Sequence, residues 1–173
     1  MLDADGSNDP NEIPRFVEAL LAGNDFAKGS RFMKGGGSHY ITLLRRLGCY
    51  GLSMLVNVLF GTRYHDLLYG YNAFWQHCLE YIDIDCDGFE VEVLINLRIH
   101  KANFKIVEVP SFQLTRISGR NNLRTFRDGW RVLKTIIKER AKNTPYLPRI
   151  LKPINTTSHL LEPNKDSEWV RVN

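Results

Sequence analysis

Two acidic residues open this chain two positions apart. In Asp3-Ala4-Asp5-Gly6-Ser7 an extended backbone would put both carboxylates on one side, because alternate residues point the same way. Two such carboxylates, together with two phosphates, suit a Mg²⁺ or Mn²⁺ ion that holds a nucleotide diphosphate. A solvated acidic turn presents the same pattern. A calcium loop counted from Asp3 fails at Pro14, where glutamate is required, and one counted from Asp83 fails at Leu94. The run Asp83-Ile84-Asp85-Cys86-Asp87-Gly88 therefore reads as a solvated acidic turn. Gly29-Ser30-Arg31 offers a planar guanidinium at a strand end, where it can grip a phosphate. Asp66 stands ahead of Gly70 with Tyr69, Tyr71 and Phe74 around it, a pattern that puts a carboxylate at a cleft wall and the rings in the core. Glu90 and Glu92 begin a helical stretch. Residues two apart do not share a helix face, so at most one of them can point into a cleft. The other would sit at a helix N-terminus favoured by the dipole.

Basic residues gather further on. From Arg116 to Lys142 nine Lys and Arg face only Asp128 and Glu139, a local charge of +7 in a chain whose net charge is +4, leaving the remainder acidic. A basic amphipathic helix carrying Trp130 suits an anionic membrane or a lipid phosphate. A nucleic acid would suit the charge, but no nucleic-acid motif accompanies it.

The elements that must position these groups follow from 173 residues, 43% hydrophobic and 24% charged, which describe one globular domain rather than a disordered or fibrous chain. Cys49, Cys78 and Cys86 are scattered and contain no CxxC pair, which argues against a disulfide framework or zinc site and suits a reducing compartment. The start has no signal-peptide pattern. The longest apolar stretch, 47–60, is too short and mixed to span a bilayer, so the expected placement is cytoplasmic, at most peripheral at the inner face of the membrane. Asp9, Pro10 and Glu12 resemble a helix start, and Ile13, Phe16, Val17, Leu20 and Leu21 form its apolar face before Gly23 and Asn24 end it. A strand is expected over 25–31, and a mobile loop over 33–38 because Gly35, Gly36 and Gly37 have little restraint. A long helix over 40–60, a short aromatic strand after Asp66, a helix over 89–101, a strand over 104–114 and a helix over 123–140 follow. The last helix carries Leu123, Phe126, Trp130, Leu133, Ile136 and Ile137 at helical spacing. Interleaved strands and helices make the class α/β. Residues 1–142 read as the domain, and 143–173, punctuated by prolines, as a largely disordered tail.

Taken in order, LDADGSNDPNEIP, GSRF with its glycines, DLLYGYNAF, GFEVE, and IVEVP followed by RISGRNNL resemble family 2 glycosyltransferases, particularly the dolichol- or polyprenol-phosphate sugar synthase branch. The resemblance implies a GT-A, Rossmann-like fold and inverting transfer of a sugar from a nucleotide-sugar donor. It implies that Asp3 and Asp5 form the DxD motif that binds metal (Mg²⁺ or Mn²⁺) and donor diphosphate, that Arg31 faces an acceptor phosphate, that Asp66 is the acid ahead of the Gly-aromatic strand, and that Glu90 and Glu92 form the acidic helix start near the sugar; Asp66 and Glu92 are the candidate catalytic carboxylates. Arg116 and Gly119 match a loop that closes over the donor phosphates, although Asn121 and Asn122 stand where the family often has Ser and Lys. The acceptor is a polyprenyl phosphate, which needs positioning, or a sugar hydroxyl, which needs a base. The alternative is a catalytically inactive fragment that binds anionic membrane through its basic helix. Only Met1 and Leu2 precede the acidic pair, which in this family ends a strand following the nucleotide-binding half, so the resemblance also leads to the expectation of an N-terminally truncated domain.

Overall fold

The computed structural model describes residues 1–39, 41–116 and 125–142. Residues 117–124, with Gly119 and the expected start of the last helix at Leu123, and the expected tail over 143–173 lie outside the described residues.

Asp9 caps the first helical segment as its sequence suggests: its side chain accepts from the Asn11 amide, Pro10 takes the first position, and a 3-10 turn (Pro10–Glu12) runs into α1 (Ile13–Leu21). Glu12 does not complete a reciprocal cap. Its carboxylate is buried and accepts from Ser111 Oγ and the Phe112 amide, which ties the start of α1 to a segment 99 and 100 residues later in the chain. The strand β1 (Phe26–Ser30) is buried at all five positions. It pairs in parallel with β4 (Ile106–Pro110) and antiparallel with β3 (Asn72–Phe74), so the sheet order is β3-β1-β4. This small mixed sheet makes the class α/β.

Alternation along β1 divides the core. Ala27 faces α1, where Phe16, Leu20, Tyr69, Tyr71 and Val109 close a cluster and the Phe16 and Tyr71 rings stack at 4.4 Å. Phe26 faces Cys78, Ile95 and Ile99 on the opposite side. Lys28, two residues beyond Phe26, shares that second side. A third cluster joins α2 (Leu43–Phe60), α3 (Glu90–Lys101) and α4 (Thr125–Ala141) through Val56, Leu67, Val93, Leu97, Val132 and Ile136. Thr42 caps α2 by accepting from the Arg45 amide, and Gly61 ends it in the left-handed region at φ +70°.

Three expectations change. The stretch over 33–38 is ordered rather than a mobile loop: β2 (Gly37–Ser38) pairs with β5 (Phe112–Gln113), and a Cβ on Gly36 or Gly37 would collide with the Ser30 carbonyl or the Phe112 ring. Those glycines permit close approach rather than freedom. The predicted apolar faces of α1 and α4 are only half used. Ile13, Val17 and Leu21 are exposed, as are Phe126, Trp130 and Ile137, while α4 buries the expected Ile136 together with Val132 and Glu139. Helical spacing identifies an apolar stripe but not which neighbour covers it. Asp85 in the acidic turn is not simply solvated: it pairs at 2.7 Å with the buried Arg98, which also meets Glu139 at 3.3 Å.

Candidate active site

The parallel strands β1 and β4 end on the same side, and the residues beyond β1 begin the site. Arg31 follows β1 directly and is itself buried. Its guanidinium meets Asp66 as a fork: Nε donates to Oδ2 at 2.6 Å and Nη2 to Oδ1 at 3.0 Å, while the Arg31 amide donates to Oδ2 at 3.1 Å. Nη1 donates to Gln113 Oε1 at 3.0 Å, and the guanidinium lies over the Tyr69 ring at 4.9 Å. Burial by itself would raise the Asp66 carboxyl. The charge and hydrogen bonds of Arg31 override it and hold Asp66 below the usual carboxylate range. Sequence places Arg31 towards an acceptor phosphate and Asp66 at a cleft wall as a candidate base; the structure pairs the two with each other.

Asp3 and Glu92 both approach Gly70. A Cβ on Gly70 would lie 2.6 Å from Glu92 Oε1 and 3.4 Å from Asp3 Oδ1. Only a residue without a side chain lets both carboxylates draw near. Burial pushes the Glu92 carboxyl up to about 7; Lys28 opposes that rise and Asp3 reinforces it. Burial and the neighbouring Asp5 raise Asp3 as well, against Arg116 and Arg31. Asp5 behaves oppositely. Burial works against its ionisation, but Ser7 donates to it, Arg116 Nε stands 2.8 Å from its Oδ2, and its pKa falls. The Glu90 carboxylate turns to the other face of α3 and pairs with Arg131 at 2.7 Å, as the two-residue spacing requires.

The loop carrying Asp3 and Asp5 is tied down at its far end. Leu114 donates to the Ser7 carbonyl at 2.9 Å, Asn8 bridges to Gln113, and Tyr69 Oη donates to Asn8 Oδ1 at 3.1 Å. The structure thus brings together Asp3, Asp5, Arg31, Asp66, Glu92 and Arg116. Gly119 falls outside the described residues.

Two participants escape notice in the sequence. Gln113 joins Arg31 to Ser38 Oγ at 3.3 Å. Lys28 is fully buried and donates through Nζ to the Tyr69 carbonyl at 2.9 Å. A lysine between apolar and small residues in FAKGS is the one signal that could have revealed it.

A divalent cation fits this chemistry in one respect. The positive charge of Arg116 already stands against Asp5, and Asp3 brings a second carboxylate close by, beside Glu92 at Gly70. Among the described residues no group of three or more His, Cys, Asp or Glu could hold a metal alone, so a ligand would have to supply the remaining oxygens.

This gathering of carboxylates accompanies a clear similarity by sequence to curated polyprenyl-phosphate sugar transferases. Polyprenol monophosphomannose synthase of Mycolicibacterium smegmatis is 34% identical over 112 residues, 63% of this chain and 42% of that protein. Undecaprenyl-phosphate mannosyltransferase of Micrococcus luteus is 30% identical over 125 residues, 70% of this chain and 51% of that protein. Glycosyltransferase AglJ of Haloferax volcanii is 28% identical over 148 residues, 84% of this chain and 48% of that protein. The chain spans about half the length of the curated relatives it matches. No protein-family model matches it.

Proposed function

We propose that this chain carries part of a GT-A glycosyltransferase site, which moves a sugar from a nucleotide-sugar donor to a polyprenyl phosphate with inversion. The observation that carries the reading is the convergence of Asp3 and Glu92 on Gly70, beside the Arg31–Asp66 fork. Asp3 and Asp5 would hold Mg²⁺ or Mn²⁺, whose charge offsets that developing on the departing diphosphate. Arg116 would exchange its contact with Asp5 for the donor phosphates. The Arg31–Asp66 fork keeps this side of the site rigid. A phosphate monoester with a second pKa near 6 is largely ionised at neutral pH, so its oxygen can attack the anomeric carbon without a strong base. As that bond forms, the bond from carbon to the diphosphate oxygen breaks and the nucleoside diphosphate leaves. Glu92 is the carboxylate available to accept a proton, because the charge of Arg31 makes Asp66 a weak base.

A membrane-facing acceptor agrees with α2. Its 18 residues are by length and composition long and apolar enough to cross a membrane, which revises the reading of 47–60 as too short. Leu43, Leu47, Tyr50, Met54 and Val58 form one outward face, with Leu43 and Val58 exposed to 73% and 74%. This face accounts for membrane contact better than the basic helix alone, and α4 adds exposed Phe126 and Trp130. It lies on the surface, as an interfacial helix does, while its inner face packs Val56 into the core.

Calorimetric titration of GDP- and UDP-sugars with Mn²⁺ tests the central claim. One donor should bind only with the metal, and Asp3→Ala together with Asp5→Ala should abolish that dependence. Metal-dependent binding unchanged in the double variant would refute the assignment of these carboxylates.

A further inference from the structure

Tyr69 carries a hydroxyl that its place in the core does not need. The residue is 1% exposed, and its ring packs with Phe16, Leu20 and Tyr71. It lies against Gly29, where a Cβ would come within 3.0 Å of Cδ1 and Cε1, and under the Arg31 guanidinium. A phenylalanine would fill the same space, and burying a hydroxyl costs free energy unless it finds partners. Its partners come from two other segments. Oη donates to Asn8 Oδ1 at 3.1 Å and stands 3.2 Å from Ser111 Oγ, which in turn donates to the Glu12 carboxylate. Asn8 belongs to the loop that carries Asp3 and Asp5, and its side chain makes no other hydrogen bond among the described residues. Backbone contacts close the same loop through the Leu114 amide and through the bridge from Asn8 to Gln113, whose side chain accepts from Arg31. One side chain therefore touches Arg31 with its ring and the acidic loop with its hydroxyl. Burial pushes the Tyr69 pKa up, so the hydroxyl keeps its proton and remains a donor at neutral pH.

We propose that Tyr69 is a positioning residue of this site, whose hydroxyl sets, through Asn8, where the loop bearing Asp3 and Asp5 stands relative to Arg31. Its role in donor binding rests on the glycosyltransferase reading above; the anchoring of the loop does not. Neither catalysis nor contact with substrate is assigned to it.

Deleting the hydroxyl while keeping the ring decides the matter. Tyr69→Phe does so in the full chain. Tyr64→Phe is the matched control, because it deletes another buried hydroxyl, one that donates to the Asn96 carbonyl in the cluster under α2, α3 and α4. Hydrogen exchange of the Leu114 amide, which donates to the Ser7 carbonyl, reads the loop without any ligand. It should quicken about fivefold in Tyr69→Phe, the equivalent of one lost hydrogen bond, and far less in Tyr64→Phe. Equal exchange in the two variants would overturn the anchoring. Calorimetric titration of GDP- and UDP-sugars with Mn²⁺ reads the site. The dissociation constant should rise about fivefold in Tyr69→Phe and keep its wild-type value in Tyr64→Phe. Asn8→Ala cuts the same bond from the loop side and should match Tyr69→Phe. The double variant should bind no more weakly than either single one, whereas multiplied losses would overturn the coupling through Asn8. Unchanged donor binding in Tyr69→Phe, with the wild type binding, would overturn the positioning role. A wild-type chain that binds no donor would instead sink the glycosyltransferase reading, with exchange at Leu114 still deciding the anchoring. Should Tyr69→Phe fail to fold, Asn8→Ala carries both readouts with the same outcomes.

Discussion

Breaking the Arg31–Asp66 fork gives the sharpest quantitative test of the architecture. Both side chains are essentially buried, at 2% and 0% exposure, and two parallel hydrogen bonds of 2.6 and 3.0 Å join them. For unit charges about 4 Å apart at an effective dielectric near 20, the attraction is about 4 kcal/mol. Asp66→Asn removes the charge with little change in shape and leaves the guanidinium enclosed among Gln113, Tyr69 and Phe32. Losing one partner of a buried pair costs about 3–5 kcal/mol. At about 2–4 °C per kcal/mol for a chain of this size, the thermal midpoint should fall by roughly 10 °C, with a matching shift in the urea midpoint at unchanged slope. The joint replacement Arg31→Met with Asp66→Leu should cost far less than the single losses combined, because no charge is left behind. The sign with pH is also set. Asp66 is held below its ordinary value of 3.8, so its stabilisation is present above that value and disappears as pH falls through the lower folded value. The acid limb of the stability profile should therefore flatten in Asp66→Asn. A loss below about 1 kcal/mol in that variant, the range of solvent-exposed pairs, would refute the claim that this fork is buried and compensated.

Glu92 titrates with the opposite sign: its carboxyl rises from 4.5 to about 7, so the stability it contributes is complete below pH 4.5 and is lost as pH climbs through about 7. Thermal midpoints measured from pH 5 to about pH 8 should decline in the wild type, and Glu92→Gln should remove that part of the slope; an identical slope in both would show that Glu92 titrates normally. On the outer face of α2, Leu47→Glu with Met54→Glu should weaken flotation with mixed phosphatidylglycerol and phosphatidylcholine vesicles at least tenfold without lowering the thermal midpoint, since both side chains are exposed at 61% and 58% and each gives up about 1–2 kcal/mol of lipid contact. Undiminished flotation would move the membrane face elsewhere.

Much of this molecule could be read along the chain, and the reason is local geometry. The cap at Asp9-Pro10, the α3 helix and the divergence of Glu90 from Glu92 depend only on bond angles and the helical period, which act over three or four residues. The acidic pair at Asp3 and Asp5 declared itself by spacing, as did Arg31 at a strand end. What needed the tertiary structure were the partners, because they come from far along the chain. Arg31 finds Asp66 35 residues away, Lys28 finds the Tyr69 carbonyl 41 residues away, and Gly70 matters only because α3 aims Glu92 at it. The three glycines at 35–37 are compatible with freedom or with close contact, and the β5 strand some 75 residues later selects contact. The same holds for the greasy stripes of α1, α2 and α4. Periodicity shows that a stripe exists, and only the placement of the neighbouring helices and sheet determines which side is shielded from water and which is left to meet a membrane.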